Sequence, residues 1–280
     1  MNKTLAIFEL MRLDKPIGIY LLLWSALLAL VISSNGNFEY VDLIIVIIGS
    51  ILVRSAGCVI NDICDKDLDG GVERTKTRPI PSKKLSISES WVVFAVLSIL
   101  SLMLLSLTNA NTILISICFG LMIVVYPLTK RFFIGPQIFL GLTFNPTIIV
   151  YAMTNELNNP TMIFLYLAIA AKTIAFDSFY GLCDMEDDKK LGINSTPLWW
   201  GSKTLLIIAI LQFAVISFLL IVGLKAELSS AWYIGIILLS GFYFYQHQLA
   251  SQKNFLLAFK NNHWASLYLL TLSVFCFLII

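Results

Sequence analysis

The amino-acid sequence predicts an all-α, polytopic membrane protein with about nine transmembrane helices. Its 280 residues are 58% hydrophobic and only 13% charged, which is far more apolar than an average soluble domain. The apolar residues are gathered in runs of about 17 to 25 residues, the length that a helix needs to cross a bilayer. These runs lie at 16–34, 41–61, 89–108, 111–128, 134–154, 159–181, 204–224, 230–247 and 263–280.

The basic residues predict which side of the membrane each loop faces. If the nine runs alternate across the bilayer, all of the 19 Lys and Arg residues except Arg54, Lys172 and Lys225 fall on the side of the N-terminus. Because cytoplasmic loops are enriched in Lys and Arg, we expect this side to be cytoplasmic. The loops on the opposite side are short, so we expect one membrane domain over residues 1–280.

The first acidic segment follows the second apolar run. Asn61, Asp65 and Asp69 recur at four-residue spacing, and Asp62 precedes Asp65 by three residues, so all four side chains lie on one face at a helix end. Oxygen ligands without His or Cys favour a hard cation, and Mg²⁺ binds proteins through a few carboxylates together with phosphate oxygens. The segment therefore predicts Mg²⁺ and a diphosphate substrate.

A second acidic segment follows the sixth apolar run. Asp184 and Asp188 are four residues apart, and Asp177 lies one to two turns upstream. Two such segments at corresponding helix ends could each hold a metal ion against one diphosphate. The alternative, two solvated charged loops, is less favoured because ordinary loops seldom repeat one acid spacing. The repetition indicates two halves, about 1–128 and 129–280.

Basic side chains near the acids are candidates for binding phosphate oxygens, although each could instead be a topology anchor. They are Lys76, Arg78, Lys83, Lys84, Lys130 and Arg131. Arg54 and Lys172 lie within apolar runs, where a charge by default marks a functional site. Arg54 could anchor an anionic acceptor such as an aromatic carboxylate, or pair with the acids. Lys172 could pair locally with Asp177, which is the favoured reading, or contact substrate.

Three functions are candidates for a membrane protein with these residues. A transporter would carry acids in the middle of its spans, whereas these acids lie at helix ends beside basic clusters. An intramembrane phosphatase acting on a lipid diphosphate would share the metal and phosphate ligands. A transferase acting on the same diphosphate would also need an acceptor, for which Arg54 is the candidate.

The chain resembles the UbiA-type intramembrane prenyltransferases. The family motif NDxxDxxxD is matched at residues 61–69, and its DxxxD motif is matched by Asp184 and Asp188 within FDSFYGLCDMEDDKKLGINST. The opening MRLDKPIGIYLLLW and the segment YPLTKR also match, so the resemblance covers nearly the whole chain. The hydroxybenzoate branch of the family is more similar than the haem-modifying, chlorophyll-type and naphthoate-type branches. The chain departs from the family pattern at Lys172, Phe176, Met185 and Asn194.

The resemblance implies a UbiA-type fold with nine helices around a central cavity open to lipid. It implies Mg²⁺-dependent transfer of a polyprenyl group from polyprenyl diphosphate to 4-hydroxybenzoate, ortho to the hydroxyl group, in ubiquinone biosynthesis. Another phenolic or naphthoic acid is an alternative acceptor. The expected location is the inner membrane of a bacterium, with the active site facing the cytoplasm. Membrane lipid is an expected partner, and nucleic acid is not.

The resemblance also implies roles for individual residues. One Mg²⁺ would be held by Asn61, Asp65 and Asp69, and a second by Asp184 and Asp188. The implied catalytic residues are Asp65, Asp69, Asp184, Asp188 and Arg131, with Lys130 and Arg131 assisting the diphosphate. The implied substrate-binding residues are Arg54, facing the acceptor carboxylate, and Asn61, Asp62, Lys76, Arg78, Lys130 and Asp177.

Overall fold

The computed structural model describes residues 3–278, and these contain α-helices, two single-turn 3₁₀ helices and loops, with no strand. The α-helices, in chain order, are α1 (Lys3–Leu10), α2 (Ile17–Ser33), α3 (Tyr40–Cys64), α4 (Ile87–Leu105), α5 (Ala110–Thr129), α6 (Pro136–Thr143), α7 (Thr147–Met153), α8 (Thr161–Leu191), α9 (Thr196–Trp200), α10 (Thr204–Lys225), α11 (Ser230–Ser251) and α12 (Phe255–Leu278).

The all-α prediction is confirmed, and every predicted apolar run coincides with helical structure. Within residues 3–278, five helical segments are long and apolar enough to cross a membrane: Tyr40–Cys64, Ile87–Leu105, Ala110–Thr129, Thr161–Leu191 and Thr196–Lys225. The apolar helix α2 is shorter. The predicted count of nine spanning helices is therefore not confirmed.

Three predicted runs have different bounds in the structure. The run 134–154 is two short helices, because Pro146 lacks the backbone N–H that a continuous helix needs and its ring disfavours helical geometry before it. Asn145 stabilises the break by donating to the Tyr166 carbonyl at 2.8 Å. Helix α12 begins at Phe255 instead of residue 263. Residues 279 and 280 of the ninth run lie outside the described part of the chain.

Helix α8 extends ten residues past its predicted end and carries the second acidic segment on its last turns. It ends at Gly192, whose φ of 67° is left-handed, a conformation that glycine adopts at little cost. The N–H of Ile193 bonds the Asp188 carbonyl at 3.0 Å. Because the acids are on the helix, their four-residue spacing places them on one face.

The main core lies among α2, α7, α8, α10, α11 and α12, and a smaller one lies where α1 and α4 pack on α3. Trp232 is fully buried and donates to the Leu219 carbonyl at 2.9 Å, joining α11 to α10. Many large apolar side chains on the outer faces of α4, α5, α10 and α11 are exposed. Exposed apolar surface on this scale fits a lipid environment.

The connection from α3 to α4 positions much of the site. It turns back on itself through a hydrogen bond of 2.8 Å from the Thr75 hydroxyl to the Asp69 carbonyl. Its far end is fixed by Ser86, which caps α4 in a reciprocal capping box with Glu89. The backbone N–H of Glu73 reaches Asp187 on α8 at 3.4 Å. The connection therefore links the two acidic segments.

Candidate active site

A cavity of about 1440 Å³ brings the two acidic segments together. The ends of α3 and α5, helix α8 and the α3–α4 connection contribute ten of its polar residues. These are Asn61, Asp62, Asp65, Asp69, Arg74, Arg78, Lys130, Asp177, Asp184 and Asp188. Apolar side chains of α3, α4 and α5 line the rest, including Val53, Leu102 and Leu121. The cavity can therefore accommodate a molecule with a charged end and an apolar chain.

Asp62 is held by two arginines. One guanidinium nitrogen of Arg12 donates to both Asp62 carboxylate oxygens at 2.7 Å, and Arg78 donates to one of them at 3.1 Å. Asp62 is fully buried. This carboxylate ties the segment before α2 and the α3–α4 connection to α3.

Asp65 follows the last residue of α3 and is the C-cap of that helix. Its Oδ2 accepts hydrogen bonds from Lys130 on α5 and, at 3.0 Å, from Asn61. Its Oδ1 is buried and has no hydrogen-bond partner. Burial raises the pKa of Asp65 above its ordinary value, although the ammonium of Lys130 acts in the opposite direction.

Asp69 lies in the α3–α4 connection and accepts a hydrogen bond from Arg78 at 2.8 Å. Arg78 therefore bridges Asp69 and Asp62, two acids of the first segment. Because Arg78 lines the cavity and is itself only partly buried, its remaining donors can reach an anion there.

Arg74 joins the connection to the second acidic segment. It donates to both carboxylate oxygens of Asp184, with Nε at 2.9 Å from Oδ1, and to the Tyr180 hydroxyl. Burial lowers the pKa of Arg74, but the hydrogen bond and the charge of Asp184 outweigh that effect and the net shift is upward. Asp177 and Asp188, on the same face of α8, also line the cavity.

Arg54 reaches across the cavity from the middle of α3. Its guanidinium lies 4.9 Å from the centroid of the Phe144 ring. It packs so closely on Gly18 of α2 that a β-carbon there would lie 2.7 Å from the Arg54 Nε. That Nε is buried without a hydrogen-bond partner, and no carboxylate of residues 3–278 forms an ion pair with Arg54. A direct ion pair of Arg54 with the acids is therefore not observed, although its charge acts on Asp177 electrostatically.

Four sequence candidates lie outside the cavity lining, and one of them, Lys83, is exposed. Arg131 is exposed and donates to the Cys64 carbonyl at 2.7 Å at the end of α3. Lys76 is exposed and pairs with Glu73 at 2.6 Å. Lys172 is buried and donates to Ser25 at 2.9 Å and Ser266 at 3.1 Å. The favoured local pairing of Lys172 with Asp177 is therefore wrong, because the α8 backbone directs Lys172 towards α2 and α12.

The sequence interpretation missed Arg12, Arg74 and Tyr180. Arg12 belongs to the matched opening and Arg74 to the basic run that contains Lys76 and Arg78, so the motifs contained both. No spacing rule selects Arg74 over Lys76, because the choice depends on how the connection folds onto α8. Tyr180 precedes Asp184 by four residues and therefore shares its helix face.

The acidic residues fit a hard divalent cation, because the atoms that they offer as metal ligands are oxygens. Asp65 offers a buried carboxylate oxygen without a partner, and all nearby donors of the first segment are oxygens or the amide of Asn61. Within residues 3–278, no three His, Cys, Asp or Glu side chains are close enough to hold a metal ion by themselves. Mg²⁺ takes few protein carboxylates and several oxygens from phosphate or water.

A sequence profile of the UbiA prenyltransferase family matches residues 22–278. The 4-hydroxybenzoate octaprenyltransferase of Pseudomonas aeruginosa (strain LESB58) is 40% identical over 265 residues, covering 92% of this chain and 89% of that protein. The protein of the same name from Vibrio campbellii (strain ATCC BAA-1116) is 39% identical over 272 residues, covering 95% of each.

Solved structures share the fold. A UbiA homolog from Aeropyrum pernix K1 has a TM-score of 0.79 at 21% identity, covering 90% of this chain and 94% of that chain. A UbiA homolog from Archaeoglobus fulgidus, bound to GPP and Mg²⁺, has a TM-score of 0.73 at 18% identity, covering 98% and 100%. The fold, the apolar helices and the profile match identify a multi-pass membrane protein that belongs to the UbiA prenyltransferase family.

Proposed function

We propose that this chain transfers a polyprenyl group from polyprenyl diphosphate to 4-hydroxybenzoate, at the ring carbon ortho to the hydroxyl group. The relatives at about 40% identity are named for that acceptor. The observation that carries the proposal is the convergence of both acidic segments and Arg54 on one cavity. A phosphatase acting on the same diphosphate binds no aromatic acceptor, so it would not need a buried cation such as Arg54.

The diphosphate binds at the polar end of the cavity. Arg74, Arg78 and Lys130 each contact an acid of one of the two segments and are placed to donate to phosphate oxygens as well. When the allylic C–O bond breaks, negative charge develops on the leaving diphosphate, and fixed cations lower the barrier by stabilising that charge. The apolar walls from α3, α4 and α5 accommodate the prenyl chain.

The aromatic acid binds near the middle of α3. Arg54 has a buried donor without a partner, and a carboxylate ligand would satisfy it with a charge-assisted hydrogen bond. An arginine fixed there sets the distance between the acceptor ring and the diphosphate. Acceptors without an acidic group would leave this donor unpaired, which is costly in a buried site.

Bound Mg²⁺ would neutralise diphosphate charge and act as a Lewis acid on its oxygens. Asn61, Asp65 and Asp69 would hold one ion, and Asp184 and Asp188 a second. Solved relatives of the same fold are described as bound to Mg²⁺ with GPP or DMAPP, or to Cd²⁺. We further propose that the cavity's polar end faces the cytoplasm from the bacterial inner membrane and that residues 1–280 form one domain of two related halves.

Prenyl transfer in membranes carrying the protein tests the function, with geranyl diphosphate, labelled 4-hydroxybenzoate and Mg²⁺. We expect the wild type to form prenylated acid. EDTA and the Asp69→Asn substitution should each abolish this product, and added Mg²⁺ should restore it only in the wild type. Asp67→Asn is the matched control, because Asp67 lies in the same segment but is exposed. Diphosphate release without ring alkylation would overturn the proposed acceptor, and no consumption of diphosphate would overturn the transferase assignment.

A further inference from the structure

Four aromatic side chains run between the two arginines at opposite ends of the site. From the Arg54 end, the ring centroids of Phe144 and Phe176 are 6.4 Å apart, and those of Phe176 and Phe259 are 5.9 Å apart. Phe259 and Tyr180 follow at 4.7 Å. The guanidinium carbon of Arg74 lies 4.4 Å from the Tyr180 centroid. All four rings line the cavity, and we call them the aromatic wall.

The aromatic wall comes from three separate parts of the chain. Phe176 and Tyr180 are one turn apart on α8, Phe144 lies in the break between α6 and α7, and Phe259 is on the first turns of α12. Phe176 and Phe259 are 3% and 8% exposed. The buried residues of the main core are largely Leu, Ile, Val and Ala, whereas this part of the cavity is lined by four adjoining rings.

The position of the wall matches where positive charge would develop. Arg74 and Asp184 mark the diphosphate end, and Arg54 marks the acceptor end. A cation formed between them would meet two arginines, an unfavourable arrangement unless other groups compensate. Aromatic rings attract cations through the negative potential of their faces, by about 0.5 to 2 kcal/mol, and the phenyl rings of Phe144, Phe176 and Phe259 carry no hydroxyl that could attack a carbocation as water does.

We propose that the aromatic wall stabilises the allylic cation between the diphosphate and the acceptor and keeps water away from it. This inference rests on the proposed function. The allylic C–O bond breaks, and its electron pair stays on the diphosphate. The acceptor ring then supplies an electron pair to the allylic carbon, and the proton lost from that ring carbon passes to the diphosphate. In the competing reaction, water supplies the electron pair and prenyl alcohol and a proton are formed.

The test compares Phe259→Leu with Phe179→Leu. Phe179 is fully buried on α8 near the same cluster but does not line the cavity, so its replacement controls for lost packing. Two quantities are measured in detergent-purified protein with geranyl diphosphate and Mg²⁺. They are the rate of diphosphate cleavage without acceptor and, with 4-hydroxybenzoate, the fraction of product that is geraniol.

We expect Phe259→Leu to lower the cleavage rate by roughly 2- to 30-fold, the rate equivalent of one cation–π contact, and to raise the geraniol fraction. Phe259→Tyr, which keeps the ring, should restore both values towards the wild type, and Phe179→Leu should change neither. The inference is overturned if Phe259→Leu keeps both wild-type values or if Phe179→Leu changes them equally.

If Phe259→Leu does not fold, a second pair of variants, at Tyr180, tests the role of the aromatic wall. Tyr180→Phe removes the hydroxyl that accepts from Arg74 but keeps the ring, whereas Tyr180→Leu removes both. A higher geraniol fraction in Tyr180→Leu than in Tyr180→Phe supports the wall, and equal fractions overturn it. A wild-type protein that cleaves the diphosphate but leaves 4-hydroxybenzoate unchanged overturns the proposed function alone, because the acceptor-free rates still compare the variants.

Discussion

Arg12 and Asp62 form a buried ion pair in which one arginine nitrogen lies 2.7 Å from each carboxylate oxygen. The two residues are fifty positions apart in sequence, and the pair fixes the segment before α2 onto the end of α3. With both oxygens of Asp62 occupied and the side chain fully buried, we expect this acid of the first motif to be a structural residue beside Asp65 and Asp69, not the substrate-binding residue that the resemblance implies.

Replacing Asp62 by Asn should therefore destabilise the protein. The change leaves Arg12 without its counter-charge, whereas Arg78 keeps Asp69. Removing one partner of a buried ion pair costs about 3 to 5 kcal/mol, and we expect a smaller loss here because the Arg12 side chain is 21% exposed. Thermal unfolding in detergent, followed by intrinsic fluorescence, measures the effect. Glu73→Gln is the control, since its pair with Lys76 is exposed and should matter little. Wild-type stability combined with a weakened response to Mg²⁺ would make Asp62 a metal ligand instead.

Arg74 should be far more important for diphosphate binding than Lys76. Arg74 contacts Asp184 and lines the cavity, whereas Lys76, two residues later, pairs with Glu73 outside the cavity lining. A charge-assisted hydrogen bond contributes about 1.5 to 3 kcal/mol, so Arg74→Met should lower kcat/KM for the diphosphate by roughly 10- to 100-fold. Lys76→Met should stay within about twofold of the wild type. Equal losses in the two variants would favour a general electrostatic role for the connection.

The acids of the second segment could be predicted from sequence because helical periodicity alone places them on α8. Asp184 and Asp188 are four residues apart on α8, so they share one face of that helix whatever the helix packs against. The predicted single helix face for the first segment is wrong, because α3 ends at Cys64 and Asp69 lies in the connection beyond it. The pairing of Arg74 with Asp184 could not be predicted, since it joins residues 110 positions apart through a connection without regular periodicity. The resemblance implied Arg131 together with Lys130, but neighbouring residues at a helix end point in different directions, and of these two only Lys130 lines the cavity.

The aromatic wall could not be predicted from the sequence either. In a chain that is 58% hydrophobic, a phenylalanine facing the cavity and one facing lipid occur in the same apolar runs. Phe259 even lay outside the predicted ninth run. The break before α7 had a sequence signal in Pro146, and that break places Phe144 beside Arg54. Such positions depend on which helices pack together, which local patterns do not encode.

Gly18 should control the position of Arg54. A methyl group at residue 18 would lie 2.7 and 2.8 Å from the Nε and Nη2 atoms of Arg54, so Gly18→Ala must displace the guanidinium. We expect a higher KM for 4-hydroxybenzoate, by about tenfold for each 1.4 kcal/mol of binding lost, with an unchanged KM for the diphosphate. Gly241→Ala is the control, because a β-carbon there meets no atom within 4 Å. A matching rise in both KM values would argue against a specific role of Arg54 with the acceptor.

Lys172 should be dispensable for catalysis and unfavourable for stability. The residue is 4% exposed within the helix bundle, and its ammonium donates to Ser25 and Ser266, with no carboxylate of residues 3–278 paired to it. A buried charge without a counter-charge is costly, and Met keeps the length of the side chain. Ser25 retains its hydrogen bond to the Leu21 carbonyl at 2.9 Å. Lys172→Met should therefore raise the unfolding temperature and leave prenyl transfer within about twofold of the wild type. Loss of activity in a protein of unchanged stability would contradict this and would support the alternative that Lys172 contacts a substrate.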